Sequence, residues 1–203
     1  MNKKAYIKIF AGFCVGILWF GAVRFALIQD KTVHYHANFG LYINGKQDKF
    51  DNFTQYEEVQ ACSGNTTSNP RGRAHLHKPS PHVIHVHDNA VTWNAFFANV
   101  GYGLSDKAIT TNDGVFVDGQ NDKHLTFILN GKKVDTVSNR IIENTDALLV
   151  SYGDELDSKI LEQFTGIPKD AEIVNTQFDP ASCSGTKTMG FNERLRASFN
   201  FSK

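Results

Sequence analysis

Cysteine, methionine and proline are scarce in this chain, and neither sign of charge dominates it. Among 203 residues there are three Cys, two Met and five Pro, and 21 Lys+Arg balance 21 Asp+Glu to a formal net charge of zero. No C-x-x-C occurs, which excludes the usual thiol-oxidoreductase motif. The only Met after the initiator is Met189, and no Cys accompanies the histidines, so the sulfur ligands typical of Cu(I) trafficking are lacking. Without a basic excess there is no electrostatic footprint of a generic nucleic-acid binder, and no nucleic-acid partner is expected. No Gly-X-Y period suggests collagen, and 41% hydrophobic residues exclude a wholly disordered chain. The length fits one compact domain or two small ones, with enough chain for a real core.

The zero charge averages over unlike segments. Residues 1–30 carry Lys3, Lys4, Lys8 and Arg24 against Asp30, a balance of +3, which leaves −3 on residues 31–203. Ile9 to Ile28 reads IFAGFCVGILWFGAVRFALI, interrupted only by Arg24. At about 1.5 Å per residue this run reaches roughly 30 Å, the thickness of a bilayer's hydrocarbon core. Arg24 lies near the far end, where its stem can stay in lipid while its head reaches the interface. The lysines at the near end place the N-terminus in the cytoplasm and the bulk of the chain outside, in the periplasm or on the cell surface. A cleaved signal peptide is the competing reading, but Ala22 and Ala26 are preceded two residues earlier by Phe20 and Arg24, which spoils a small-x-small cleavage site. Residues 1–30 are therefore read as a cytoplasmic stub and membrane anchor, with the membrane contacted through residues 9–28. Cys14 within the run is a lipid-facing or packing residue.

An outside location permits disulfides, and Cys62 with Cys183 is the simplest pairing. The outer region reads as α+β, strand-rich, with β-hairpins and short helices. Residues 31–105 form a His-rich region. Residues 106–175 form a second hairpin unit and helix of the same domain, and residues 176–203 a loosely ordered tail. VHYHANFGLYI (33–43) alternates strictly, with Tyr35, Ala37, Phe39, Leu41 and Ile43 on one face and His34, His36 and Asn38 on the other. Asn44-Gly45 predicts a hairpin turn, as does Asn130-Gly131 between HLTFIL and KKVDTV. Thr54 to Glu57 fits a capping box and predicts a short helix to Ala61. The stretch 63–73 reads as a loop, and VIHVH (83–87) reads as a strand. Thr92 caps a helix with Trp93, Phe96, Phe97 and Val100 on one stripe, ended by Gly101 and Gly103. NDGVFVDGQND (112–122) reads as a turn-rich loop without EF-hand spacing. A further strand (147–152) precedes a helix over Asp154–Phe164.

Seven of the eight histidines fall between positions 34 and 87, as the H-x-H pairs His34/His36, His75/His77 and His85/His87, plus His82. On a strand, residues i and i+2 share a face at about 6.5–7 Å, so one pair is a bidentate clip for an ion held at about 2.0–2.1 Å. Two clips on adjacent strands complete an imidazole shell suited to Zn(II) or Cu(II). The six paired histidines exceed one tetrahedral shell, so either two ions bind, or one site uses three or four ligands and the others orient substrate. His82 and His124 are alternative ligands, or partners that hold a ligand in place. Asp88 is a carboxylate ligand, a partner for a ring N–H, or a turn residue at the helix entry.

IHVHD (84–88) resembles the copper strand of the copper–zinc superoxide dismutases without their Gly-rich surround or zinc-loop spacing, and neither HLHKPSP nor HVHDNAV has the Glu of a cupin. The order H-x-H strand, NG turn, HLH, IHVH and Thr-capped TW..FF helix, over residues 33–105, is similar to a set of uncharacterised single-pass extracytoplasmic proteins of bacteria and archaea. That resemblance implies the topology and the His pattern and carries no assigned activity. Three functions follow from the residues. The first is a tethered domain that captures, buffers or delivers Zn(II) or Cu(II). The second is a metalloenzyme with an open water position and Glu57, Glu58 or Asp88 as acid/base. The third is an interaction domain whose His face senses pH or docks a protein partner at the cell surface.

Overall fold

The computed structural model describes residues 2–28, 33–56, 70–177 and 190–200. Cys62, Cys183, Glu57 and Glu58 lie outside the described residues, and with them the expected disulfide and two of the acid/base candidates. The chain forms two compact units, Val33–Gly185 on one hand and the two terminal segments Met1–Thr32 and Thr186–Lys203 on the other.

In the terminal unit, Lys3–Leu27 is one helix, α1, long and apolar enough to cross a membrane, with a mean hydropathy of 1.9 over its best 18-residue window. Its Phe10, Phe13 and Trp19 side chains are exposed. A second helix, Phe191–Phe199, packs on the C-terminal end of α1, in the tail that its composition marks as loosely ordered. The Phe199 ring lies over Gly21 and fills the space that a Cβ there would need. Phe191 meets Phe25 edge-on at 5.4 Å, and the Arg194 guanidinium donates to the Phe25 carbonyl at 3.0 Å. Arg24 donates to the Asn200 carbonyl at 3.1 Å, so the one cation in the apolar run has a fixed acceptor.

The larger unit is α+β, as its sequence predicts. Its strands are β1 (Tyr35–Ile43), β2 (Lys46–Gln47), β3 (Ala74–His77), β4 (Ser80–Val86), β5 (Gly103–Leu104), β6 (Ala108–Thr111), β7 (Gly114–Val117), β8 (His124–Leu129), β9 (Lys132–Val134) and β10 (Ala147–Gly153). Its helices in chain order are α2 (Trp93–Asn99), α3 (Asp157–Thr165) and α4 (Ala171–Thr176), and the C-terminal helix is α5. The main sheet has the order β3-β4-β1-β10-β8-β9, with β2 added to β1, and β5-β6-β7 form a small separate sheet. Only β1 and β10 run parallel in the main sheet; its other pairings are antiparallel. Asn44-Gly45 and Asn130-Gly131 make the two expected hairpins, all four residues at positive φ, as a type I′ turn requires.

Alternation sorts the sheet into two faces. On one, Ala37, Phe39, Leu41, Ile84, Val86, Phe127, Leu148 and Val150 join Trp93, Phe96 and Phe97 of α2 in the principal core. Phe39 is its hub, edge-on to Phe50 at 5.0 Å and to Phe96 at 4.9 Å. On the other face, α3 brings Ile160 and Phe164, with Ile167 behind, onto Ile128 and Leu149. Gly40 admits Ile167, whose Cγ1 would stand 2.9 Å from a Cβ there. The apolar cover of that second face is supplied over β8 and β10, and the histidines occupy β1, β4 and β3.

Three local expectations change. Of the helix expected over Thr54–Ala61, residues 57–61 lie outside the described residues, and the described start is a 3-10 turn, Phe53–Gln55, whose capping box is Asn52 and Gln55, with Tyr56 extended in a bridge to Leu76. Residues 112–122 are not a loop throughout, because Gly114–Val117 pairs with β6 and places Phe116 against the principal core. Thr92 occupies the N-cap of α2 without a side-chain cap bond, its hydroxyl donating to Asn94 instead.

Replacing the hub ring should show how far the His face depends on the core behind it. Phe39→Ala is expected to destabilise the folded unit by about 3–5 kcal/mol, against about 0.5 or less for the exposed Leu161→Ala. Denaturant unfolding of the full chain checks both.

Candidate metal centre

The residues that build the site are dictated by the same alternation that builds the core. Because Ala37, Ala74, Leu76, Ile84 and Val86 face inward, His36, His75, His77, His85 and His87 must face the other way, with His34 one residue before β1. Register then brings them together. His85 on the central strand β4 stands opposite His36 of β1 and opposite His75 of β3, a row of three imidazoles across three strands. Tyr35 and Ala74 both pair with Val86, so the next row begins with His34 beside His87. The β3–β4 register shifts between Leu76 and His77, one step on β3 against four on β4, which breaks the ladder there.

The six rings form a closed circuit. Successive centroids are 4.6 Å apart from His34 to His36, 4.3 Å from His36 to His85, 4.4 Å from His85 to His77 and 4.6 Å from His77 to His75. The circuit closes over 5.1 Å from His75 to His87 and 4.6 Å from His87 to His34. His36, His75 and His85 retain 1%, 2% and 7% of their surface, and the other three are half-buried. His34, His85 and His87 each offer one ring nitrogen within 4.8 Å of the other two, so these three could hold one metal ion. Two nitrogens on a shared ion stand about 2.9–3.4 Å apart at metal–nitrogen bonds of about 2.0–2.1 Å. Contraction by at most about 1.4–1.9 Å, within side-chain adjustment, would close the set.

Hydrogen bonds fix which nitrogens are available. The His75 Nδ1–H donates to the Arg71 carbonyl at 2.8 Å, which leaves the Nε2 lone pair facing His77 Nε2 at 3.0 Å. Asn175 Oδ1 accepts from both the His36 backbone N–H and His36 Nδ1, at 3.1 and 2.8 Å. That leaves His36 Nε2 facing His85 Nδ1 at 3.0 Å. An imidazole that gives one N–H to a protein oxygen and turns its other nitrogen inward has the arrangement of a metal ligand with its outer partner in place. His87 Nε2 is buried and makes no hydrogen bond among the described residues. A buried nitrogen without a partner is costly, and an ion would supply one.

The remaining candidates fall outside the circuit. His82 bonds Asp170 Oδ2 at 2.9 Å, and Asp170 Oδ1 accepts from Asn38 at 2.7 Å. Asn38 Oδ1 in turn accepts from the Ala171 N–H, so His82 and Asn38 clamp the start of α4 onto β1. Burial raises the Asp170 pKa, but the bonds from His82 and Asn38 outweigh it and hold the carboxyl below its usual range. Asp88 accepts from the Arg73 guanidinium at 2.7 Å and from the Asn89 N–H, in the role of a turn residue at the helix entry. His124 is exposed on β8, two strands from β1, near Asp118. Sequence reasoning missed Asn175 and Asp170. Asn38 carries a local signal, two residues after His36 on one face, whereas nothing near Asn175 marks it.

No family profile, curated protein or solved structure matches the chain.

Packed imidazoles cannot all accept protons. Burial first, then the neighbouring His36, His77, His75 and His34 rings, hold His85 far below the ordinary range of histidine. Burial, then His75, His34, His77 and His36, push His87 down to about 3. At neutral pH both are therefore uncharged, as ligands must be. The unfolded chain takes up these protons near pH 6.5 and the folded chain refuses them, so stability is full above about 6.5 and declines as pH falls toward 3. In chelator-treated full chain, two such groups give a slope of up to about 2.7 kcal/mol per pH unit below pH 6. His87→Gln should lower that slope by about half, as read from denaturant midpoints between pH 7 and 4.

Proposed function

We propose that this protein is a single-pass membrane protein whose outer domain captures, buffers or delivers Zn(II) or Cu(II) through His34, His85 and His87, with His36 completing the shell. The observation that carries this reading is the closed circuit of six imidazoles on three adjacent strands, with the His36 and His75 protons directed outward to Asn175 and Arg71 oxygens. Neutral, nitrogen-only ligation favours Zn(II) and Cu(II) over the oxygen-seeking Mg(II) and Ca(II) and over sulfur-seeking Cu(I).

Among the described residues, Asp88 is engaged by Arg73 and Asp170 by His82 and Asn38, so the six imidazoles and not a carboxylate carry the reading. Burial and the neighbouring rings hold His85 and His87 neutral, the state in which imidazole binds a metal ion. The uncharacterised proteins with the same order of histidines would, on this reading, hold an ion in the same way.

For the ion, metal-stripped full chain in detergent should bind Zn(II) or Cu(II) with submicromolar affinity, and X-ray absorption should give a nitrogen shell at about 2.0 Å. His34→Ala/His87→Ala should weaken binding at least 100-fold. Failure of either ion to bind, or an oxygen-dominated shell, would refute the proposal.

The anchor reading rests on the apolar length of α1, on its N-terminal lysines and on the packing of α5 against it, since a helix that seats another helix is expected to stay with the chain. Membranes from producing cells should retain an alkali-resistant protein at the full 22.7 kDa. A soluble product shortened by the length of α1 would mark the segment as a cleaved signal instead.

A further inference from the structure

We infer that the histidine face seats two divalent transition-metal ions, the second on the His75–His77 clip, beside the first at His34, His85 and His87. The inference rests on the metal reading above and assigns the imidazoles which that reading leaves unused. His75 and His77 are i and i+2 on β3, a spacing that separates side chains by about 6.5–7 Å at the Cα. From that spacing the two rings reach toward each other, and their Nε2 atoms meet at 3.0 Å. That distance lies within the span of about 2.9–3.4 Å between two nitrogens on one ion.

The proton positions agree. With the His75 proton held on Nδ1 by the Arg71 carbonyl, the contact in the ion-free chain is an N–H···N bond donated by His77. An ion replaces that proton when His77 takes its other tautomer, with the proton moved to Nδ1 and none released from the neutral ring. His75 is buried and His77 half-buried, just as His85 is buried and His34 and His87 half-buried, so the two seats differ in the number of imidazoles and not in burial. Two imidazoles leave the remaining positions of the second seat to water. The result is a seat of three or four imidazoles next to one of two, and the second therefore binds more weakly.

Cu(II) is the probe. Titration of metal-stripped full chain in detergent should give two equivalents, the second bound at least tenfold more weakly. At two equivalents, and not at one, the paramagnetic resonance spectrum should show the dipolar broadening and half-field transition of paired ions a few ångströms apart. His75→Gln/His77→Gln, with its fold checked by circular dichroism, should keep one equivalent within about threefold of its original affinity and lose the half-field signal. Saturation of the unsubstituted chain at one equivalent would overturn the second seat and leave the first standing, as would a spectrum of two isolated ions. No binding at all would overturn both. The spectrum needs no variant, so misfolding of the double substitution does not protect the inference.

Discussion

The register of β4 between β1 and β3 is set by apolar side chains, and the chemistry on the opposite face follows from it. Ala37 lies across from Ile84 and Leu76 lies across from the same Ile84, so these three side chains enter the core as one row. Because the side-chain period of a strand is two, a slip of one residue would drive His36, His75 and His85 into the core and turn the aliphatic residues out. Burial of one Leu or Ile contributes about 1.5–3 kcal/mol, and several act together here. The imidazoles therefore meet without any attraction of their own, which in the ion-free chain is weak and, once one ring is protonated, repulsive.

That arrangement explains the low proton affinity of His85 and His87. A ring on the central strand has neighbours on both sides, and the core behind it withholds water. Charging it exacts a desolvation penalty and then a repulsive one. A cation that binds nitrogen lone pairs reverses both effects, because it satisfies inward-facing nitrogens, including the buried His87 Nε2, with one central charge. An ion that binds only the folded arrangement also stabilises it by mass action. The clamp of Asp170 and Asn175 onto β1 is part of the same design, since without α4 the His36 ring would lose the oxygen that fixes its tautomer.

The sequence displays much of this because strand periodicity and paired histidines are local signals. The alternation from Val33 to Ile43, the two Asn-Gly turns and the Trp93–Val100 stripe each depend on neighbours within a few residues. What was not legible depends on distance or on competition. Asn175 bonds His36 across 139 positions of chain, and α4 lies in a polar stretch with no strong period. The register shift between Leu76 and His77 leaves no mark in HLHKPSP. The Gly114–Val117 strand was obscured by its Asn, Asp and Gly flanks, although GVFV itself has β-branched and aromatic content.

Charge limits how many ions such a face can take and where they sit. The chain beyond residue 30 carries −3 with its histidines neutral, and each divalent ion adds +2, so a second ion would bring the balance to about +1. Long-range charge therefore does not forbid two ions, but their mutual repulsion does matter. At about 6 Å, the spacing of the His75 and His85 rings, two divalent charges repel by about 3 kcal/mol at the dielectric of water and several-fold more in a buried setting. Three kcal/mol is roughly a hundredfold in affinity. Two fully buried seats at that spacing would exclude each other. Neither seat is fully buried, since His34 and His87 at the first and His77 at the second are half-buried, so water screens both ions and the two can coexist. The same repulsion falls on the ion held by fewer imidazoles, so the order of affinities follows from ligand number.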